Sequence, residues 1–593
     1  MDNITPNLLN TAEDEATHTL ADVINALSAK QNFKLEAGAG AGKTYSLIEA
    51  LRHILKYRQE FLPRDNQRVA CLTYTRVARD EINSRTNGDR SIFAETLHGF
   101  LWEMISPYRK AIVTEIAKFE TWKQVLRDDI IEDFDVEYQV GIRNVNKERK
   151  LVSLHHDDIP KLAIEFFKNQ KFRALVCDRF PVIFIDEYQD TPAGLAETIL
   201  AGYETDKRRP VIGLFGDHWQ QIYENTCGST DDPNLIQIAK RANFRSDKSV
   251  VNLLNSMRPE LPQAPHADAD EGTVTIYHTN NWPGTRLSRH WKDQISFKAV
   301  GKTLALIRNL PQYSSWNKNC DELRILMLTH ATIAKEIGYP GLHSNFQYNE
   351  SFTKAEDPII GYLVNTVEPA LSAFKAHRYG ELLEILGSGN IFIYSPIDKQ
   401  KWTNFFDQLS QICELGTVEE VLILLGEQKL FSIPSKIAKL EKELSASIAE
   451  LTAGTTSQLS RRMSEYQGLK TIEYSEIRKL TDFLNNHTPF ATQHSVKGAE
   501  FNNVIVLVGK GWANYDFGKM LSTFKSPASR NGTFTRSRNL FYVAASRAKH
   551  NLILLFVQEL DDDALDTLKS WAGEDNIIAL DFDDDITPRL PIP

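Results

Sequence analysis

A chain of 593 residues, 42% hydrophobic and 25% charged, has room for about three or four ordinary globular domains. Five cysteines scattered singly, Cys71, Cys177, Cys227, Cys320 and Cys413, exclude a zinc ribbon, an iron–sulfur cluster and a disulfide framework, and no apolar run has the length of a bilayer-spanning helix. The net charge of −10 is local, because the residues from Val557 onward carry eleven Asp and Glu against only Lys569 and Arg589; the nearly neutral remainder leaves nucleic acid open as a partner.

The polar, acidic opening MDNITPNLLNTAEDEA has no basic n-region, so a cytoplasmic protein is expected. Leu9 to Ala29 reads as a helix. Phe33 and Leu35 then alternate as in a buried strand, and Leu47, Ile48, Leu51, Ile54 and Leu55 recur at helical spacing. Between strand and helix lies Ala37, Gly38, Ala39, Gly40, Ala41, Gly42, Lys43, Thr44, a glycine-spaced loop whose backbone can wrap an anion against the helix N-terminus. Lys43 would pair with the β- and γ-phosphates of ATP, and the Thr44 hydroxyl would ligate Mg2+.

Val69 to Thr73 reads as a second strand, ending in Thr73, Tyr74 and Thr75 and followed by Arg76 and Arg79. An exposed aromatic between hydroxyls there suits the stacking of a base, with an ordinary sheet-edge tyrosine as the even alternative. The passage ETLHGFLWEMI, with His98, leads into a charged, helical stretch from about Trp102 to Asp178 whose arginines and lysines, Arg143 and Arg173 among them, read mainly as solvated faces. His155 and His156, ahead of two aspartates, read as a solvated loop.

The all-apolar run before Asp186 and Glu187 reads as a strand buried on both faces, which puts those acids at its C-terminal end in the ligand crevice of a parallel sheet. Asp186 would hold the metal through water and Glu187 would act as general base on the attacking water. Another buried strand, from Val211, ends at Gly216 and Asp217, with Gln220 placed to bond the γ-phosphate. Phe244 and Arg245 of NFRS suit, in turn, stacking on the base and reaching the γ-phosphate. Farther on, Pro434 followed by Ile437, Leu440, Leu444, Ile448 and Leu451 marks one amphipathic helix.

AGAGAGKT, TYTRVARDEI, TLHGF, IDEYQDT, GDHWQQIY and NFRS, followed by TQHSVKGAEF and YVAASRA, resemble the successive motifs of UvrD/Rep/PcrA-like superfamily 1 DNA helicases. The resemblance implies an α/β fold of two RecA-like parallel-sheet P-loop NTPase cores, each with an inserted, mainly helical subdomain. The expected boundaries are 1–101 and 179–257 for the first core, 102–178 for its insertion, 258–346 and 488–557 for the second core, 347–487 for its insertion, and 558–593 for an acidic tail. It further implies that Glu500 holds the ribose, that Arg245 and Arg547 act on the transition state across a cleft, and that Thr73, Tyr74, Thr75, His98 and His494 contact DNA. Single-stranded or partly duplex DNA is the implied partner, with 3′→5′ movement driven by ATP hydrolysis.

The chain departs from that pattern at several places. Ala37 stands where the phosphate loop usually opens with glycine, Tyr45 where these helicases often place arginine, and Glu224-Asn225 where a base-stacking tryptophan and an arginine commonly follow the tyrosine. No adenine-selecting glutamine precedes the loop, since Glu13 stands in that region and Gln31 lies too close to the strand. These departures bear on unwinding more than on ATP hydrolysis. In its compact insertions and abrupt C-terminus the chain resembles the helicase-like subunit of Gabija-type antiphage systems, which implies a separate nuclease partner of OLD-family type and an ATP-gated, DNA-sensing role as the alternative to a helicase.

Overall fold

A computed structural model describes residues 11–591 apart from 127–130, 132, 140–142, 205, 207, 231, 319–321, 348–349, 388–394, 429–430, 454–457, 511–513, 527–529 and 584–586. Cys320 therefore lies outside the described residues. Among these residues no helix is long and apolar enough to cross a membrane.

Runs of Val, Ile, Leu and Phe with no polar alternation form strands covered on both faces. The first sheet is built from β1 (Phe33–Ala37), β2 (Val69–Thr73), β3 (Ile92–Thr96), β7 (Val182–Asp186), β8 (Val211–Gly216) and β9 (Ile236–Lys240) in the order β3-β2-β7-β8-β1-β9, every pair parallel. β1, β7 and β8 thus lie side by side, and their C-terminal ends bring the phosphate loop, Asp186 and Asp217 to one edge. The second sheet joins β12 (Thr273–His278), β13 (Leu323–Met327), β14 (Phe490–Thr492), β15 (Phe501–Val508), β16 (Ala548–Phe556) and β17 (Ile577–Ala579) in the order β14-β13-β15-β16-β12-β17, again all parallel. Two short strands, β10 (Ala242–Asn243) and β11 (Ala264–Pro265), pair by themselves between the sheets.

Neither insertion has a core of its own. Ile183, Ile185 and Leu214 of the first sheet share one apolar cluster with Ile112, Trp122, Val152 and Phe166 of the first insertion. Ile325, Ile505 and Leu555 of the second sheet are likewise continuous with Leu371, Phe406, Ile437 and Leu480 of the second. The helix Ser435–Thr452 buries Ile437, Leu440 and Leu444 and leaves Ile448 and Leu451 exposed.

Several expectations are corrected. The first insertion adds a small sheet to its helices, β4 (Asp135–Tyr138), β5 (Asn144–Asn146) and β6 (Leu151–Leu154) in the order β4-β6-β5. Two of its arginines are not solvated: Arg143 reaches the fully buried Asp158 at 2.7 and 3.0 Å, and Arg173 is itself buried and forks onto Asp206 at 2.8 and 3.0 Å. The helix Lys248–Met257 belongs with the second core and not the first, since Val250, Leu253, Leu254 and Met257 pack among Val504, Leu552 and Leu568. The stretch 558–593 is no mere tail either. It supplies the helix Asp562–Ala572, whose Trp571 packs on Phe524 and Phe541, and then β17 on the edge of the sheet.

His156 is not in a solvated loop. It stacks on His98 with ring centroids 3.5 Å apart and takes Tyr138 Oη as a 2.5 Å partner. Burial and then His156 push the pKa of His98 down to about 4. An unfolded histidine takes its proton near pH 6.5, so the stabilisation from this stack is fully present above that pH and is lost as pH falls toward 4. Amide exchange in 97–105 and 151–156, corrected for intrinsic rates, should therefore quicken between pH 6.5 and 5; His98→Phe should flatten that dependence, and an unchanged profile would dismiss the stack as its source.

Candidate nucleotide and nucleic-acid site

The loop after β1 needs its glycines. Gly40 and Gly42 have φ of 73° and 72°, and a Cβ on Gly40 would stand 2.7 Å from Asn243 Oδ1. Ala37 is the last residue of β1 and keeps a negative φ, so a methyl replaces the usual glycine without strain. Gly42 caps the helix Lys43–Lys56 with no side chain, which leaves the first N–H groups of that helix facing the loop. Asn243 Nδ2 and Gln263 Nε2 donate to Ala39 O at 3.2 and 3.1 Å, and Ala39 N donates to Tyr542 Oη at 3.2 Å. Tyr542 precedes β16, so the second core grips the loop directly.

Asp186 ends β7 and Glu187 follows it with φ 49°, a backbone turn that throws its carboxylate back across the loop. Lys43 Nζ lies 2.8 Å from Glu187 Oε2, and Gln189 donates to the same oxygen. Burial works against the charge on Glu187, but Lys43 and then Lys497 bring its pKa down to about 2. Asp186 goes the other way, lifted to about 7 by burial and by Glu187. Thr44, in the first helical turn, and Asp186 offer a hydroxyl and a carboxylate oxygen, the hard donor set that Mg2+ prefers. A buried carboxylate held up by a neighbouring acid is also a group that a cation would relieve, so the donors fit the metal.

Gln220 is buried and its amide donates to Asp217 Oδ2 at 2.7 Å. Asp217 in turn receives Arg258 Nη1 at 2.6 Å, and Arg258 Nη2 reaches Glu36 on β1 at 3.0 Å. Sequence reasoning missed Arg258, which is fully buried and ties the strand before the phosphate loop to the strand before Gln220. Trp219 lies under its guanidinium at 5.2 Å, edge-on to Tyr542 at 5.4 Å, with Arg538 4.0 Å over the ring from the second core. Asn539 Nδ2 adds bonds to His218 O and Gln221 O at 3.2 and 3.0 Å. This tryptophan joins the two cores and is sealed from any base.

Phe244 is exposed at the mouth of the loop, and its N–H donates to Gly40 O at 2.9 Å. Arg245 bonds Glu500 at 3.1 Å and Ser546 O at 3.1 Å, so Glu500 is engaged in an ion pair, which Lys549 joins at 3.0 Å. Arg547 is buried, with Nε on Val543 O at 2.9 Å, Nη1 on Ala499 O at 3.0 Å and Nη2 on Ser546 Oγ at 2.8 Å. Burial and then Arg245 push its pKa down to about 9, and among the described residues no carboxylate pairs with it. Two arginines thus converge on Ser546 with a single acid between them, an arrangement that favours an incoming anion.

Residues 21–226 match the family described as an AAA domain, and residues 343–559 match the UvrD-like helicase C-terminal domain. Over its C-terminal part the chain is thus similar to the UvrD-like helicases. Two relatives, each named Gabija protein GajB and from Bacillus cereus strains HuB5-5 and VD045, are both 23% identical to it over 92% of this chain, with 96% and 97% of their own lengths covered.

The residues expected on DNA do not all reach the surface. Thr73 is buried and spends its hydroxyl on Thr75 O at 3.0 Å; Thr75 is exposed and caps the helix Arg76–Arg85 through Ala78 N. His98 is taken up in its stack on His156, and His494 Nε2 is 2.8 Å from Tyr515 Oη. Tyr74 is exposed and stacks on the equally exposed Tyr223, ring centroids 5.6 Å apart at 26°. Tyr223 was not singled out from the sequence, although it closes the same GDHWQQIY motif as Gln220. Lys497 was missed too, despite its place in HSVKGAEF. Its ammonium lies 5.7 Å from the Tyr223 ring, bonds Gln220 O at 2.8 Å and pairs with Asp190, whose pKa burial lifts to about 6 against the pull of Lys497.

Proposed function

We propose that the protein is an ATP-hydrolysing DNA translocase and 3′→5′ helicase, in which single-stranded DNA bound beside Tyr74 and Tyr223 drives closure of the two cores on the nucleotide. The observation that carries this reading is Lys497: one ammonium of the second core meets Asp190 and Gln220 of the first core and the ring of Tyr223. A strand that moves Tyr223 acts on the same contact that holds the cores around Gln220.

The chain's own groups divide the work on ATP. Lys43 leaves Glu187 for the phosphates, which frees the Glu187 carboxylate to orient water and accept its proton. Gln220, held by Asp217, registers the terminal phosphate, and Arg245 and Arg547 stabilise the charge that spreads as it leaves. Phe244 stacks on the base. Thr44 and Asp186 would hold the magnesium ion, which when bound would neutralise charge on the phosphates.

A second reading, an ATP-gated DNA-sensing subunit of an antiphage complex with a separate nuclease, is favoured by Trp219, which is walled between the cores and cannot serve as the extra base platform. The likeness to two Gabija proteins supports the same setting. ATPase activity measured with and without single-stranded DNA, followed by unwinding of a 3′-tailed duplex, separates the two. Stimulation with unwinding supports the helicase, stimulation without it supports the sensor, and no hydrolysis in either condition rejects both. Tyr223→Ala should weaken single-strand binding by roughly 1–3 kcal/mol at fixed salt, and Tyr74→Ala by a similar amount, if the rings stack bases. Parental affinity in both would return the pair to a sheet-edge ornament.

A further inference from the structure

β9 is an edge strand of mostly apolar and small residues, IQIAK, that ends in a lysine with no exposed surface. Lys240 lies in register with Ala37 at the end of β1, and its ammonium donates to Gly42 O at 2.9 Å and Ser46 Oγ at 2.7 Å. It therefore braces the glycine that opens the helix after the phosphate loop. Phe244 and Tyr45 stand near the same glycine, and the Tyr45 ring is 5.9 Å from the ammonium.

Burying an ammonium is costly unless a counter-charge comes with it. Among the described residues none pairs with Lys240. On the elements packed against it, Glu36 is held by Arg258 and His218, Glu49 by Arg52, and Glu13 by His266, while His18 and Asp22 point outward to solvent. Glu15 on the first helix and Lys43 on the second leave no mark on it: burial alone lowers its pKa, to about 8. A carbonyl and a hydroxyl solvate this charge, and nothing among the described residues neutralises it.

We propose that Lys240 is a second cation of the nucleotide site, a positioning residue that holds the Gly42 turn and takes the phosphate chain of a bound nucleoside di- or triphosphate as its counter-charge. This rests on the nucleotide-binding reading of the loop. Lys43 would act on the terminal phosphates from within the loop, and Lys240 would act from behind it through Gly42. The phosphate chain would raise the affinity of Lys240 for its proton, so binding takes up a proton at pH values where the free protein has begun to lose it.

The test is titration of a fluorescent ADP analogue with Mg2+ at constant ionic strength from pH 7 to 9.5, on wild type, Lys240→Met and Lys240→Arg. Wild-type Kd should rise about tenfold across that range; Lys240→Met should bind about tenfold more weakly at pH 7 with the rise gone, and Lys240→Arg should keep the pH 7 affinity without the rise. A bracing role alone would lower affinity in the methionine variant and leave the pH slope in place, which overturns the proposal, as does a parental Kd in Lys240→Met. Calorimetry at pH 8.5 in two buffers of different ionisation enthalpy compares wild type with Lys240→Arg: net proton uptake that is lost in the variant supports the assignment, and equal uptake in both, as Arg547 alone would give, overturns it. Should wild type and Lys43→Ala bind the analogue equally poorly, the nucleotide reading falls and this inference with it; binding by wild type with a flat pH profile removes only the role of Lys240.

Discussion

Glu187→Gln should leave nucleotide bound as tightly as in wild type, or more tightly, while hydrolysis falls by about 10²- to 10⁴-fold, the usual worth of a positioned general base. One oxygen of the carboxylate is already engaged, since Lys43 is 2.8 Å away and Gln189 shares that oxygen. A phosphate must win Lys43 from that partner. Removing the charge of Glu187 takes the competitor away, which is why affinity should not drop. Asp186 keeps its place at the end of β7 in the variant, so the metal donors remain. Equilibrium nucleotide binding and single-turnover hydrolysis measured on the same preparation decide the matter; turnover at the parental rate would remove Glu187 from the chemistry.

Arg547→Ala and Arg245→Ala should each lower kcat by about 10³- to 10⁵-fold with little change in nucleotide affinity, because both would meet charge that develops only as the γ-phosphate departs. Both should also lose most stimulation by DNA, since strand binding would act by favouring the closed cores. Arg245 must give up Glu500 to do this, so Glu500→Gln is the informative partner: it frees Arg245 without deleting it. Arg547 is harder to remove cleanly, because its guanidinium satisfies Val543 O, Ala499 O and Ser546 Oγ. A thermal melt should accompany its kinetics, and Arg547→Lys should restore charge but not the three-way hold. A raised KM with kcat intact in either alanine variant would make the residue a ground-state contact.

Most of the residues that meet at the candidate nucleotide site are legible in the sequence because its parts are local. A glycine loop after a strand, an acid pair at the end of an all-apolar run, and the NFRS turn each carry a spacing that geometry enforces. What escaped depends on partners distant in sequence. Arg258 is an unremarkable arginine after a helix until Glu36 and Asp217 are brought to it by neighbouring strands. His98 and His156 become a pair only when the first insertion folds back on the helix Leu97–Ile105. The strands β4, β5, β14 and β17 have three or four residues each, too few for a period to declare itself. Acidity hid the last of them: the aspartates around β17 read as a solvated tail, yet its own residues are Ile577, Ile578 and Ala579.

That last strand has a consequence for handling the protein. β17 lies along β12 with Ile276, Tyr277 and His278 opposite Ile577, Ile578 and Ala579, and among the described residues no strand lies beyond it. Its flanks, Glu574 and Asp575 on one side and Asp581 and Asp583 on the other, repel a second strand of the same kind, so the segment acts as a charged selvedge on a hydrophobic weave. Cutting the chain after Val557 would strip that border and leave β12 as a bare template for pairing between molecules. A truncation made to ask whether the acidic end regulates the protein would then be answered by precipitate, and charge-reversing substitutions on the flanks of β17 are the better question.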